Sequence, residues 1–204
     1  MQGFIIDIKA VKDDDLIVSI LSQNELITSY RFYGARHSNI NIGYKIDFEL
    51  EKTRSTIPRL KDVMQLGFPW ILDRNKMYAW QRYLRLFYAH LKDLEELDEF
   101  YFNLLENLIK KIEKQNVLRA IIESYLELIE HEGRLHTDFE CLICEIEIDT
   151  DLSLVRGFLP THKSCIRGKV FNHLKIKELF HTKKTINLED KEVENLFEIL
   201  LLGL

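Results

Sequence analysis

The first third of the chain alternates apolar and polar positions with a period of two. In Y-K-I-D-F-E-L-E, Ile46, Phe48 and Leu50 face one way and Lys45, Asp47 and Glu49 the other, the pattern of a strand with one buried face. Four further runs are rich in β-branched and aromatic residues and are bounded by turn-like clusters. They are G-F-I-I-D-I-K-A-V from Gly3, D-L-I-V-S-I-L-S from Asp15, E-L-I-T-S-Y-R-F-Y-G from Glu25, and R-L-K-D-V-M-Q-L-G after Pro58. Five short strands in so short a span predict a small barrel, because closure removes the exposed edges that short strands would otherwise leave.

The period then changes to that of a helix. Met77, Trp80, Leu84, Phe87 and Leu91 recur at three- and four-residue steps, then Leu97, Tyr101, Leu104, Leu108 and Ile112, then Leu118, Ile122, Tyr125 and Ile129. Gly133 is placed to stop the third helix. The aromatic stripe Trp80, Tyr83, Phe87 and Tyr88 reads as helix core. Neither period holds from 136 to 170, and two more helical stretches follow, around 172–181 and 190–202. Asn187 with Asp190 resembles a cap for the last one. The expected fold class is α+β: an OB-type β-barrel over 1–72, then a helical domain over 73–204. That second domain holds a central helical bundle, a zinc knuckle embedded at about 136–170 and a C-terminal helix.

Composition narrows the function classes. With 204 residues, 46% hydrophobic, 30% charged, eight glycines and three prolines, the chain is globular rather than disordered. No stretch approaches the length of a membrane span, and the start lacks the basic and apolar regions of a signal peptide, so the expected location is the cytoplasm. The net charge of −5 means that any surface for nucleic acid must be local.

All three cysteines fall into one pattern, C-L-I-C at 141–144 and, after seventeen intervening residues, H-K-S-C at 162–165. Zinc takes four sulfur or nitrogen ligands in a tetrahedron, and a C-x-x-C turn supplies two from one knuckle. Cys141, Cys144, His162 and Cys165 are therefore the candidate ligands of one structural zinc. Four protein ligands leave no open position for an activated water, and no acid/base motif lies nearby, so no catalytic residues are assigned and the chain is expected not to be an enzyme. His136 is a substitute ligand at a less usual spacing.

Two cationic clusters are candidates for DNA. Between 156 and 184 lie Arg156, Lys163, Arg167, Lys169, Lys175, Lys177, Lys183 and Lys184 against Glu178 alone, a block that would track phosphates or else form a solvated face. In the barrel, Arg31 and Tyr33 alternate with Tyr30 and Phe32, Arg36 and His37 follow the glycine, and Lys52, Arg54, Arg59 and Lys61 flank the next two strands, which suits a groove where bases stack on rings. At most half of those rings can be exposed, since one face of the strand must be core. Asp13, Asp14 and Asp15 read as a solvated turn.

The order of parts resembles the RecO family of bacterial recombination mediators. The motifs that carry the resemblance are G-F-I-I at 3–6, an acidic stretch into D-L-I-V at 15–18, I-L-S at 20–22 and Y-G-A-R-H-S at 33–38, with the late metal knuckle. Where the family usually shows a third cysteine, His162 stands, itself a good zinc ligand. The resemblance implies a non-enzymatic mediator of DNA repair. It would bind single- and double-stranded DNA, anneal complementary strands, partner RecR and recognise the acidic C-terminal tail of single-strand-binding protein. It would thereby help to load RecA, acting in the cytoplasm at the nucleoid. Arg82, Arg85 and Arg119, on otherwise apolar helical stretches, are the candidates for the tail, unless they face solvent or pair with Glu95, Glu96 and Glu123. The competing class is a zinc-stabilised protein–protein scaffold with little direct DNA binding, which the acidic net charge favours.

Overall fold

The strands form where the alternation places them. In the computed structural model, which describes residues 1–54, 56–94 and 96–203, five strands close a barrel: β1 (Gln2–Ala10), β2 (Leu16–Leu21), β3 (Leu26–Arg31), β4 (Lys45–Glu51) and β5 (Arg59–Leu66). Their order around the barrel is β1-β2-β3-β5-β4. Neighbours are antiparallel except β3 and β5, which meet in parallel through the pair Tyr30 and Arg59. Ile5, Val18, Ile20, Ile46, Phe48 and Leu60 fill the interior, and Leu50 packs partly buried against them. This is the expected OB-type barrel.

Helix α1 (Arg74–Leu91) begins where Asp73 accepts hydrogen bonds from the Asn75 and Lys76 amides at 3.0 and 3.1 Å. Its apolar stripe is core, as the spacing predicts: Trp80, Tyr83 and Phe87 are fully buried. Trp80 lies edge-on to Phe4 of β1 and donates its indole N–H to the Gly43 carbonyl at 3.0 Å. Helix α2 (Glu99–Lys114) accepts from Trp70 at the Ile109 carbonyl and from Lys76 at the Ile112 carbonyl, both at 3.0 Å. It is also tied to β4 by Lys45 and Glu106 at 2.7 Å. Barrel, α1 and α2 thus make one compact unit, Met1–Lys114.

The second unit, Gln115–Leu204, holds α3 (Val117–His131), α4 (His173–Thr182) and α5 (Asp190–Leu200). Gly133, at φ +68, follows the end of α3 as expected. Between α3 and α4 lies a small sheet that no periodicity announces: β6 (Leu152–Leu154), β7 (Pro160–His162) and β8 (Val170–Phe171), in the order β7-β6-β8. Strands of two and three residues are too short to display a period. Phe139, Phe158 and Phe180 stack over this unit's core, with Tyr125 edge-on to Phe158 at 4.9 Å. The cap of α5 is not Asn187 with Asp190. It is a capping box of Glu189 and Glu192, in which the Glu189 amide donates to the Glu192 carboxylate at 2.8 Å.

Candidate metal centre and nucleic-acid interface

The metal ligands come from two loops that the small sheet holds together. The 141–144 knuckle is a turn in which the Cys141 amide donates to the Ile146 carbonyl at 3.0 Å and the Glu145 amide to the Cys141 carbonyl at 2.9 Å. Glu145 follows at φ +57, turning the chain back. The Leu142 amide donates to the Pro160 carbonyl, which lays the knuckle against β7. His162 ends β7, and the Cys165 amide folds back on the His162 carbonyl at 3.0 Å.

These turns bring Cys141, Cys144, His162 and Cys165 together, with ligand atoms all within 4.8 Å of one another. His136 is not in the cluster. Four atoms arranged tetrahedrally, each about 2.3 Å from a central ion, stand about 3.8 Å apart. Cys144 Sγ and Cys165 Sγ are 3.8 Å apart, and the His162 Nδ1 lies 3.3 Å from Cys144 Sγ and 4.0 Å from Cys165 Sγ. The cysteines are unlinked, and these separations suit a shared ion. Burial pushes the Cys141 thiol up, but amide donors from His162, Cys144 and Ile143 outweigh it and hold the group at about 6. Burial and the neighbouring thiols raise Cys165 to about 11.

The basic block is only partly available. Lys175 binds Glu192 at 2.8 Å and Glu189 at 3.7 Å, Lys183 pairs with Glu130, and Lys184 reaches Glu123 at 3.5 Å. The Lys175 ammonium is raised above its usual value, chiefly by its bond to Glu192. Lys163, Arg167 and Lys169 instead rim one groove, floored by Leu154, Val155 and Ile166, where Glu198 lies 3.7 Å from Lys169. Arg156 and Lys177 are exposed outside that groove.

On the barrel the cations and rings gather at the seam of β3 and β5. Arg31, Phe32, Tyr33, His37 and Arg59 line one groove, and Arg54, Ile57, Phe32 and Arg59 line its continuation. The Arg59 guanidinium sits 4.6 Å over the Phe32 ring and that of Arg36 5.1 Å over Tyr33. Phe32 and Tyr33 are 44% and 52% exposed. Simple alternation would send these two rings to opposite faces. β3 ends at Arg31, however, and Tyr33 turns into the left-handed region at φ +49, so both reach solvent.

Asp15 makes that turn. It is 8% exposed, not part of a solvated loop, and its carboxylate accepts the Tyr30 hydroxyl at 2.5 Å and the Tyr33 amide at 2.6 Å. Asp14 holds Arg36 at 2.7 Å, and Arg31 donates to the Leu60 carbonyl at 2.8 Å. Burial and then the nearby Arg59 lower the Arg31 guanidinium below its usual value. Arg31 is therefore a fixed piece of the groove, Arg36 is held beside it by Asp14 and the Tyr33 ring, and Arg54 is exposed.

Of the three arginines considered for a peptide tail, Arg82 and Arg85 belong to the first unit and Arg119 to the second. Arg119 closes the loop between α4 and α5, donating to the Thr185 and Leu188 carbonyls and to Asp190, the last two at 2.8 Å. Arg82 lies 5.5 Å over the Tyr78 ring on α1, and Arg85 is exposed on the same helix. Glu123 is buried and accepts both the amide and the hydroxyl of Thr185. Glu95 lies outside the described residues.

Comparison with known families places the first unit's barrel. Residues 1–71 match the family model described as RecO N terminal. Comparison with curated proteins gives no significant match. No helix among the described residues is long and apolar enough to cross a membrane.

Proposed function

We infer that the chain belongs to the RecO family and works in DNA repair and recombination, since residues 1–71 match that family's N-terminal domain. We propose further that it is a non-enzymatic mediator whose barrel groove holds single-stranded DNA. The observation that carries this reading is the pair of exposed rings, Phe32 and Tyr33, each with an arginine on one face. Bases stack on such rings whatever their sequence, and the cations meet the phosphates between them. Duplex DNA would be held by the phosphate contacts alone. Annealing needs neutralised backbones and splayed bases rather than bond-making groups, which suits a protein of surfaces.

In the second unit, Cys141, Cys144, His162 and Cys165 would hold one zinc as a structural ion. It would fix the groove of Lys163, Arg167 and Lys169, an apolar floor under three cations. That groove is the better place for the acidic, phenylalanine-ended tail of single-strand-binding protein, a partner that the family implies along with RecR and, indirectly, RecA. The ring would enter the apolar floor and the carboxylates would meet the rim.

Fluorescence titration of labelled oligo-dT over a range of salt tests the DNA reading. Replacing Phe32 and Arg59 together by alanine is expected to weaken binding by about tenfold or more, since each stacked base contributes roughly 1–3 kcal/mol. A wild-type salt slope near zero would instead favour the scaffold reading.

A further inference from the structure

The C-x-x-C knuckle carries three aliphatic side chains that its own fold does not bury. Leu142, Ile143 and Ile146 stand on the turn that the Cys141 amide closes on the Ile146 carbonyl, and each is more than half exposed. Between 140 and 151 only Cys141 and Ile148 are buried. Single exposed apolar residues are ordinary on a protein surface, but a group of them with a polar rim marks a place where another surface packs. The rim here is acidic. Glu140, Glu145, Glu147 and Asp149 are exposed, no Lys, Arg or His falls between 140 and 151, and none of the four has a cationic partner among the described residues. Such a rim repels phosphates, so this is not a surface for DNA. What fits it is an apolar recess edged with cations.

The same unit carries one. The groove floored by Leu154, Val155 and Ile166 has a volume of about 750 Å³, within the range of pockets that enclose a small ligand and roomy enough for aliphatic side chains. Leu202 also lines it and is more than half exposed. On its rim Lys169 has Glu198 at 3.7 Å, whereas Lys163 and Arg167 have no carboxylate partner among the described residues. The barrel groove is a poorer match, because its arginines have acceptors of their own: Arg31 the Leu60 carbonyl, Arg36 Asp14, and Arg59 Glu51 at 3.8 Å. Knuckle and groove are complementary twice over, in charge at the rim and in apolar character at the centre.

They do not meet within one chain. No residue of 140–149 lines the groove. The Leu142 amide on the Pro160 carbonyl and the His162 amide on Cys141 Sγ at 3.3 Å hold the knuckle against β7. The groove of another molecule is under no such restraint. About a two-fold axis the contact is made twice, each knuckle entering the other's groove. Once the first has formed the second is intramolecular, so two small contacts hold together what one would not.

We propose that Leu142, Ile143 and Ile146 dock in the groove of Lys163 and Arg167 on a second copy of this chain, and that two chains exchange knuckles in this way. The pair covers both grooves and so regulates access to the place given above to the acidic tail of single-strand-binding protein. That consequence rests on the tail reading; the pairing itself does not.

Sedimentation equilibrium of the full chain tests the pairing. The wild type should pair reversibly, and less tightly as salt rises and screens the rim charges. Glu145→Lys with Glu147→Lys sets cations against cations, and Lys163→Glu with Arg167→Glu sets acids against acids. Each of these chains alone should pair about a hundredfold more weakly or worse. An equimolar mixture of the two should pair again, since every knuckle then meets a groove of opposite charge, and a merely structural effect of either change would not be rescued by mixing. Ile146→Ala, at an exposed position, should by itself weaken pairing by about tenfold or more, because its burial is lost twice in each pair. A wild type that stays monomeric would overturn the proposal. So would variants that pair like the wild type, or a mixture that fails to pair while both chains melt at the wild-type temperature. An oligoglutamate peptide ending in phenylalanine should dissociate the pair. A pair that the variants abolish and the mixture restores, but that the peptide leaves intact, supports the docking and overturns the tail reading alone. A peptide bound by a wild type that never pairs does the reverse.

Discussion

Asp15 uses one carboxylate oxygen for the Tyr30 hydroxyl and the other for the Tyr33 amide. Tyr33 is held in the left-handed region, which a non-glycine residue enters only when its surroundings impose it. Asp15→Ala should therefore cost about 1–3 kcal/mol, read as a lower melting temperature, and should weaken oligo-dT binding although Asp15 touches no DNA. Asp15→Asn, which keeps one acceptor, should lose less of both. The role of this residue was hidden in the sequence, where D-D-D reads as a turn, because its partners lie fifteen and eighteen positions away. The metal ligands were legible for the opposite reason: two x-x-spaced pairs carry their geometry in their spacing. The lysines of the 156–184 block were legible as charge but not as available charge. Their carboxylate partners, Glu123, Glu130 and Glu192, come from α3 and α5.

Among the elements, the five barrel strands and the helices stand where period two and period 3.6 place them, because each buries one face. The β6–β8 sheet escapes such reading, since its strands are held by the knuckle and by the aromatic core rather than by their own pattern. The joint between α1 and the barrel is equally invisible in sequence. It depends on Gly43, at φ +92, where an added Cβ would meet the Trp80 indole at 2.8 Å. Gly43→Ala combines a disfavoured backbone with a clash against a buried ring, so it should destabilise the first unit by about 2 kcal/mol or more. Thermal denaturation followed by tryptophan fluorescence would report this, and an unchanged midpoint would mean that Trp80 gives way without cost.

At the scale of the molecule, the two compact units have different sources of order. Met1–Lys114 is a closed barrel with helices packed on it, and all four candidate metal ligands belong to Gln115–Leu204. Binding free energy of a structural ion is also folding free energy. Chelation, or Cys144→Ser, should therefore lower the melting of the second unit while leaving the first close to its original midpoint, as two separated calorimetric transitions. A single transition that shifts as a whole would show that the units unfold together. The charge of the molecule is likewise uneven. An overall excess of acid coexists with an acid-free α1 and with the cationic rim at Lys163, Arg167 and Lys169, so net charge does not describe the local surfaces.

The parallel closure of the barrel joins β3 to β5 through the pair Tyr30 and Arg59, supported by the Tyr30 amide on the Pro58 carbonyl and by Arg31 on the Leu60 carbonyl. Every other junction of the ring is a longer ladder. The ring should therefore breathe first at this join, where opening breaks the fewest backbone bonds. The exposed rings and their arginines straddle the same join. A strand laid across them would act as a clasp, since its phosphates and bases engage both sides of the gap, and occupancy and closure would reinforce each other. On the proposed reading, the barrel's least secured junction would thereby become the place where cargo is felt by the fold.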